Sequence, residues 1–228
     1  MFSYHLTKNY KIFFLLLLFY NISKFASGQE KTLDIPPVYQ QTPEWCWVSC
    51  GEMIFKYYDI CSINPANNFQ CGIIALIGPA CNNNCFSCPL PAGSTQTIIN
   101  MLARYPYYAH NICGSSKTTI GCIDVFGQCS ESTIIANIDN DMPIIAGISP
   151  AGGGMGLEAA HVVLIVGYDL NQDGTYVIIN DPFPYSRLRM TDPYTFYGGQ
   201  LVEDGQYKMK FSTFTSNFRW NRSLISIR

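Results

Sequence analysis

The chain has 228 residues, 48% of them hydrophobic and 13% charged, with a formal net charge of −2. That composition excludes a disordered polypeptide and leaves one domain, or two closely packed halves, long enough to bury a core. Residues 1–28 contain Lys8, Lys11 and Lys24 and no acidic residue, so the rest carries 11 basic against 16 acidic residues, which argues against a nucleic-acid partner.

Lys8 and Lys11 precede a short apolar run, Ile12 to Tyr20, and Ala26-Ser27-Gly28 offers small residues before Gln29. This pattern predicts a secretory signal over residues 1–28. The run is too short to span a bilayer comfortably, and no other stretch is long and apolar enough. Residues 29–228 are expected to form one domain, with a helical, cysteine-rich half over 29–141 and a β-rich half over 142–228. All ten cysteines follow residue 28, a density that in an exported chain predicts disulfides and a secreted, periplasmic or extracellular location. Eight of them, Cys61, Cys71, Cys81, Cys85, Cys88, Cys113, Cys122 and Cys129, cluster together and could make four bridges; Cys46 and Cys50 stand apart.

Residues 29–39 read as an extended lead-in containing Pro36-Pro37. Thr42 suits a helix N-cap, Pro43 a first helical position and Glu44 the positive end of the helix dipole. Cys50, Met53, Ile54 and Tyr57 then share one face, predicting a helix over about 43–58. Residues 59–92 read as loop. Ser94 opens a second helix to about Arg104, residues 105–129 return to loop, and Ser130 or Ser132 opens a third helix near Thr133 to Asp141. Pro143 to Ile148 is a strand, Gly152 to Gly156 a loop at the edge of a cleft, and His161 to Tyr168 an apolar strand. Asn171-Gln172-Asp173-Gly174 is a turn, Thr175 to Asn180 the return strand, and the aromatic, alternating tail predicts more strands. The fold class is α+β: a helical first half packed on an antiparallel second half, with the cleft between them.

Cys46 falls in the first turn of the first predicted helix, where unpaired N–H groups favour a thiolate. The competing role is a structural disulfide. If Cys46 is a free thiol, parity among ten cysteines demands another, and Cys50 one turn later is the natural candidate. A thiolate nucleophile needs an imidazole. Two histidines follow residue 28: His110, in a loop among cysteines, and His161, which opens a strand. Hairpin geometry returns Asn180 and Asp181 to the neighbourhood of His161, and only one of them can face it. Either could orient the ring, although Asp181-Pro182 is also a common turn starter. Gln40 or Gln41 could add a carboxamide N–H to that of Cys46 and so bind an oxyanion. Cys81, Cys85 and Cys88 have a spacing that could hold zinc, but an oxidising compartment favours disulfides, and no metal or organic cofactor is expected.

Four stretches carry a resemblance: Gln-Gln-Thr-Pro-Glu-Trp-Cys-Trp-Val-Ser-Cys, Asp-Asn-Asp-Met-Pro-Ile-Ile-Ala-Gly-Ile, Ala-His-Val-Val-Leu-Ile-Val-Gly-Tyr-Asp and Val-Ile-Ile-Asn-Asp-Pro. Together they resemble the papain-like cysteine peptidases. The likeness is closest to the compact bacterial branches that cleave bacteriocin leaders and to a secreted group that includes a plant-pathogen effector protease. It covers about residues 38–58 and 134–182 and leaves the cysteine-rich segment 59–130 unmatched. It implies a papain-like fold, with Cys46 as nucleophile, His161 as base and Asp181, in the Asp-Pro pair of the compact branches, as the residue orienting His161. Papain's asparagine keeps Asn180 as an alternative. The usual six-residue spacing to the cysteine selects Gln40 for the oxyanion hole, and Trp47 would pack behind the nucleophile. The resemblance implies a monomeric hydrolase of peptides or proteins, with no membrane contact beyond the signal. A catalytically silent binding or adhesion module on the same scaffold, or an acyl-transferring relative, is the alternative.

Overall fold

The computed structural model describes residues 29–149 and 161–228; the expected signal segment and the Gly152–Gly156 loop lie outside them. Eight strands form one antiparallel sheet: β1 (Gln29–Thr32), β2 (Ile123–Phe126), β3 (Ile144–Ile148), β4 (His161–Asn171), β5 (Gly174–Asn180), β6 (Gln200–Glu203), β7 (Gln206–Lys210) and β8 (Arg222–Ile225). Six helices accompany them: α1 (Cys46–Tyr57), α2 (Phe69–Ile77), α3 (Thr95–Cys113), α4 (Glu131–Asp139), α5 (Pro193–Phe196) and α6 (Phe211–Asn217). This is the expected α+β architecture.

The strands run in the order β2-β8-β3-β4-β5-β7-β6. The central strand β4 changes partner along its length. Its first residues pair with β3, from Ile148 opposite His161 to Ile144 opposite Ile165. Its last residues pair with β1, from Thr32 opposite Gly167 to Gln29 opposite Leu170. Gly167 permits that exchange, because a Cβ there would sit 2.7 Å from the Lys31 carbonyl oxygen and 3.0 Å from Thr32 Cα. On its other edge β4 pairs with β5 in the expected hairpin, Asn171 opposite Gly174 and Leu164 opposite Asn180.

α1 is buried from Cys46 to Phe55 because it lies between β4 and the helices α2 and α3. A helix buried on nearly every side over its first ten residues fits only such a doubly covered position. Phe55 stacks on Tyr105 of α3 with ring centroids 4.3 Å apart.

The structure departs from the sequence reading in several places. α1 starts at Cys46 rather than Pro43. α2 occupies part of the expected loop, with the Asn68 side chain accepting the Cys71 N–H at 3.1 Å. α3 runs through Pro106 to Cys113 because Ile98, Met101, Leu102, Tyr105 and Ala109 give it a continuous buried face, which outweighs the one donor that proline removes. His110 is therefore on a helix. The aromatic tail contains α5 and α6 as well as strands. The disulfides are Cys61–Cys113, Cys71–Cys85 and Cys81–Cys88. Cys122 and Cys129, counted among the eight that could make four bridges, are free thiols, and burial raises the pKa of both. No helix among the described residues is long and apolar enough to cross a membrane.

Candidate active site

The turn before α1 explains where that helix begins. The Trp45 N–H reaches back to the Thr42 carbonyl at 3.2 Å. Gln40 Nε2 donates to the carbonyls of Thr42 and Pro43 at 2.9 and 2.8 Å. These carbonyls are taken up by the turn and by the Gln40 carboxamide instead of extending the helix backward. Trp45 becomes the N-cap, with no side-chain cap, and the Thr42 hydroxyl is buried without a partner. Cys46 thus heads the helix, with its sulfur at the end that carries the unpaired N–H groups.

Two indoles flank the thiol. Trp45 Nε1 donates to the Cys88 carbonyl at 3.2 Å and Trp47 Nε1 to the Leu90 carbonyl at 3.1 Å. The segment they hold is closed by Cys71–Cys85 and Cys81–Cys88, so the thiols with zinc-like spacing are consumed in disulfides. Among the described residues no group of His, Cys, Asp and Glu could hold a metal ion.

His161 is the first residue of β4. Its Nε2 lies 2.6 Å from Asp181 Oδ1, and the Cys46 sulfur is near enough to act on the ring electrostatically. Asp181 directly follows β5, and its side chain is fully buried. Its Oδ1 also accepts the Phe183 N–H at 2.8 Å, and its Oδ2 accepts the Tyr194 hydroxyl at 2.9 Å, with the Tyr185 hydroxyl farther off at 3.5 Å. Asn180 points the other way: its Nδ2 donates to the Ile35 carbonyl at 2.7 Å and its Oδ1 accepts Gln206 Nε2 at 2.8 Å. Alternation along the strand therefore separates the two candidates, and Asp181 is the one that meets the histidine.

Burial works against a charged His161. The carboxylate of Asp181 and the sulfur of Cys46 outweigh it and raise the imidazole from 6.5 to about 10. Cys50 lies one turn beyond Cys46, fully buried, with its Sγ donating to the Val162 carbonyl at 3.6 Å. Burial pushes its thiol well up, and the neighbouring Cys46 and Asp181 add to the effect. The helix thus carries one thiol at its head and one inert thiol in the core.

Gln40 is buried, and its backbone N–H donates to the Pro182 carbonyl at 2.9 Å, which ties it to the residue after Asp181. Gln41 turns instead toward α2, its side chain accepting from Asn68 Nδ2 at 2.9 Å. His110 on α3 has Nδ1 2.8 Å from the Ser115 carbonyl and takes no part in the cluster. The sequence reading missed Tyr194, a single aromatic in a tail rich in them, with only its place after Asp192-Pro193 to mark it.

A sequence model of the Peptidase_C39 like family matches residues 32–209. The chain belongs to the Peptidase_C39 like family. Membership puts it in the papain-like cysteine peptidase superfamily and gives its activity class in general terms as cysteine peptidase. The matched span includes Gln40, Cys46, His161 and Asp181, and also the cysteine-rich residues 59–130 that the quoted stretches left out. No curated protein matches this family member.

Proposed function

We propose that the protein is an exported peptidase that hydrolyses peptide bonds with Cys46 as nucleophile, His161 as acid and base, Asp181 as the residue orienting His161, and Gln40 with the Cys46 N–H as the oxyanion hole. The observation that carries this reading is the His161 ring held 2.6 Å from the buried Asp181 carboxylate, with the Cys46 sulfur acting on it from the head of α1. The thiolate attacks the substrate carbonyl. The oxyanion is held by the Cys46 N–H and by Gln40 Nε2, which gives up one of its two carbonyl partners, Thr42 or Pro43, to reach it, and His161 gives its proton to the leaving amine as the thioester forms. His161 then takes a proton from water, which attacks the thioester and releases the acid. The substrate is a peptide or protein and the enzyme a monomer. Six bridged cysteines suit an oxidising compartment outside the cytoplasm. A silent binding module would have Cys46 tied up with Cys50, whereas both are free thiols.

Iodoacetamide at neutral pH tests the nucleophile. Rapid alkylation is expected at Cys46 alone, slowed by about tenfold or more in His161→Ala, with loss of fluorescein-casein hydrolysis in Cys46→Ala. Casein hydrolysis that survives in Cys46→Ala ends this reading.

A further inference from the structure

Gln70 is a fully buried carboxamide in α2, outside the cluster around Cys46, and every one of its hydrogen bonds leads toward that cluster. Its Oε1 accepts the Gln41 N–H at 2.9 Å. Its Nε2 donates to the Tyr39 carbonyl at 2.8 Å and to Glu52 Oε2 at 3.0 Å. One side chain therefore grips the backbone on both sides of Gln40. Glu52 belongs to α1, the helix headed by Cys46, and its other oxygen is 2.6 Å from Lys56 Nζ. Turning the Gln70 amide over would set its oxygen against the Tyr39 carbonyl and the Glu52 carboxylate, so Glu52 fixes which way the amide points.

The Gln40 side chain has little else to locate it. Its Nε2 rests on the Thr42 and Pro43 carbonyls, which move with the same turn, and its Oε1 has no partner. Its backbone is held by the Gln40 N–H to Pro182 on one side and by the two Gln70 bonds on the other. A donor aimed at a developing charge must be in place before reaction, and small displacements cost rate rather than binding.

We infer that Gln70 is the positioning residue of the oxyanion hole, clamping the turn that carries Gln40, and that Glu52 registers this clamp to the helix bearing Cys46. The inference rests on the proposed role of Gln40.

The experiment is a double-mutant cycle on a peptidyl-coumarylamide chosen by screening the wild-type enzyme. Gln40→Ala, Gln70→Leu and their combination are compared for kcat, KM and the rate of Cys46 alkylation by iodoacetamide. Gln70→Leu is expected to lower kcat about tenfold, with KM and alkylation within about twofold of wild type. In the Gln40→Ala background the same change is expected to cost less than about twofold, because the donor it positions is gone. Equal losses in both backgrounds overturn the inference and leave the hydrolytic reading standing. A Gln40→Ala enzyme with wild-type kcat removes the oxyanion role itself and the inference with it. If Gln70→Leu shows no thermal unfolding transition, Glu52→Leu goes through the same cycle, with Glu52→Gln as the conservative variant expected to restore kcat. Failure of Glu52→Leu to couple to Gln40→Ala then overturns the inference.

Discussion

Replacing Tyr194 with phenylalanine removes one oxygen and little else. The ring is fully buried and stacked between Tyr207 and Phe218, with centroids 4.3 and 4.8 Å away, so those contacts hold it in place. The lost hydroxyl is the closest donor to Asp181 Oδ2, at 2.9 Å, and the Tyr185 hydroxyl at 3.5 Å is too long to replace it. A hydrogen bond to a buried charge contributes about 1.5–3 kcal/mol. For a chain of this size, a loss of about 2 kcal/mol corresponds to a fall in Tm of about 4–8 °C. The assay is thermal unfolding of oxidised protein at pH 7, followed by circular dichroism, with the Cys46 alkylation rate measured in parallel. A Tyr194→Phe protein whose Tm stays within about 1 °C of wild type would refute the assignment of that hydroxyl to the Asp181 charge.

Asp181→Asn removes the charge that helps raise His161 to about 10, so the imidazolium is lost at lower pH. The alkaline limb of the pH–activity profile is expected to move down toward the ordinary histidine value of 6.5, and an unmoved limb counts against this pairing. The sign for stability is the same. The His161–Asp181 pair contributes fully below the unfolded value of 6.5, and its contribution disappears as pH rises through about 10, measurable as a wild-type advantage over His161→Ala that shrinks with pH. Gly167→Ala must push β1 away from β4 and is expected to cost about 1–3 kcal/mol, so an unchanged urea midpoint would show that β1 is not seated there. Removing the Cys61–Cys113 bridge by changing both residues to serine opens a loop spanning 52 residues. On the chain-entropy account this costs about 4 kcal/mol, and a calorimetric loss under about 1 kcal/mol would contradict it.

Short apolar runs bounded by turn residues made the β-rich half legible. The hairpin carrying His161 and Asp181 needs only an apolar run, a turn with Asn and Gly, and a second run, and the turn sets its register as far as Gly167 opposite Ile178, beyond which a bulge shifts it by one residue. Alternation said that Asn180 and Asp181 diverge, but which of them faces the ring depends on the sheet's neighbours, Ile35 and Gln206, and these are remote in sequence. The helical half was harder to read. Thr42-Pro43-Glu44 has the composition of a helix start, yet the Gln40 side chain two and three residues earlier occupies the carbonyls needed there, a local side-chain competition that residue propensities do not contain. Asn, Gly and Cys around Phe69–Ile77 signal loop, whereas disulfides and burial stabilise a helix. Cysteine count gave the density of bridging without the pairs, since spacing does not determine connectivity.

The Gln40 N–H to Pro182 carbonyl bond joins the turn ahead of Cys46 to the residue just past Asp181. Tyr194, and Phe218 packed beside it, complete the surroundings of that carboxylate from still later in the chain. A nascent polypeptide holding only the first half has the sulfur but neither its imidazole nor its carboxylate. Assembly of the site therefore waits for closure of distant parts, an entropically slow step. On the proposed mechanism, such a chain stays harmless to the machinery that synthesises it until its tail has been delivered.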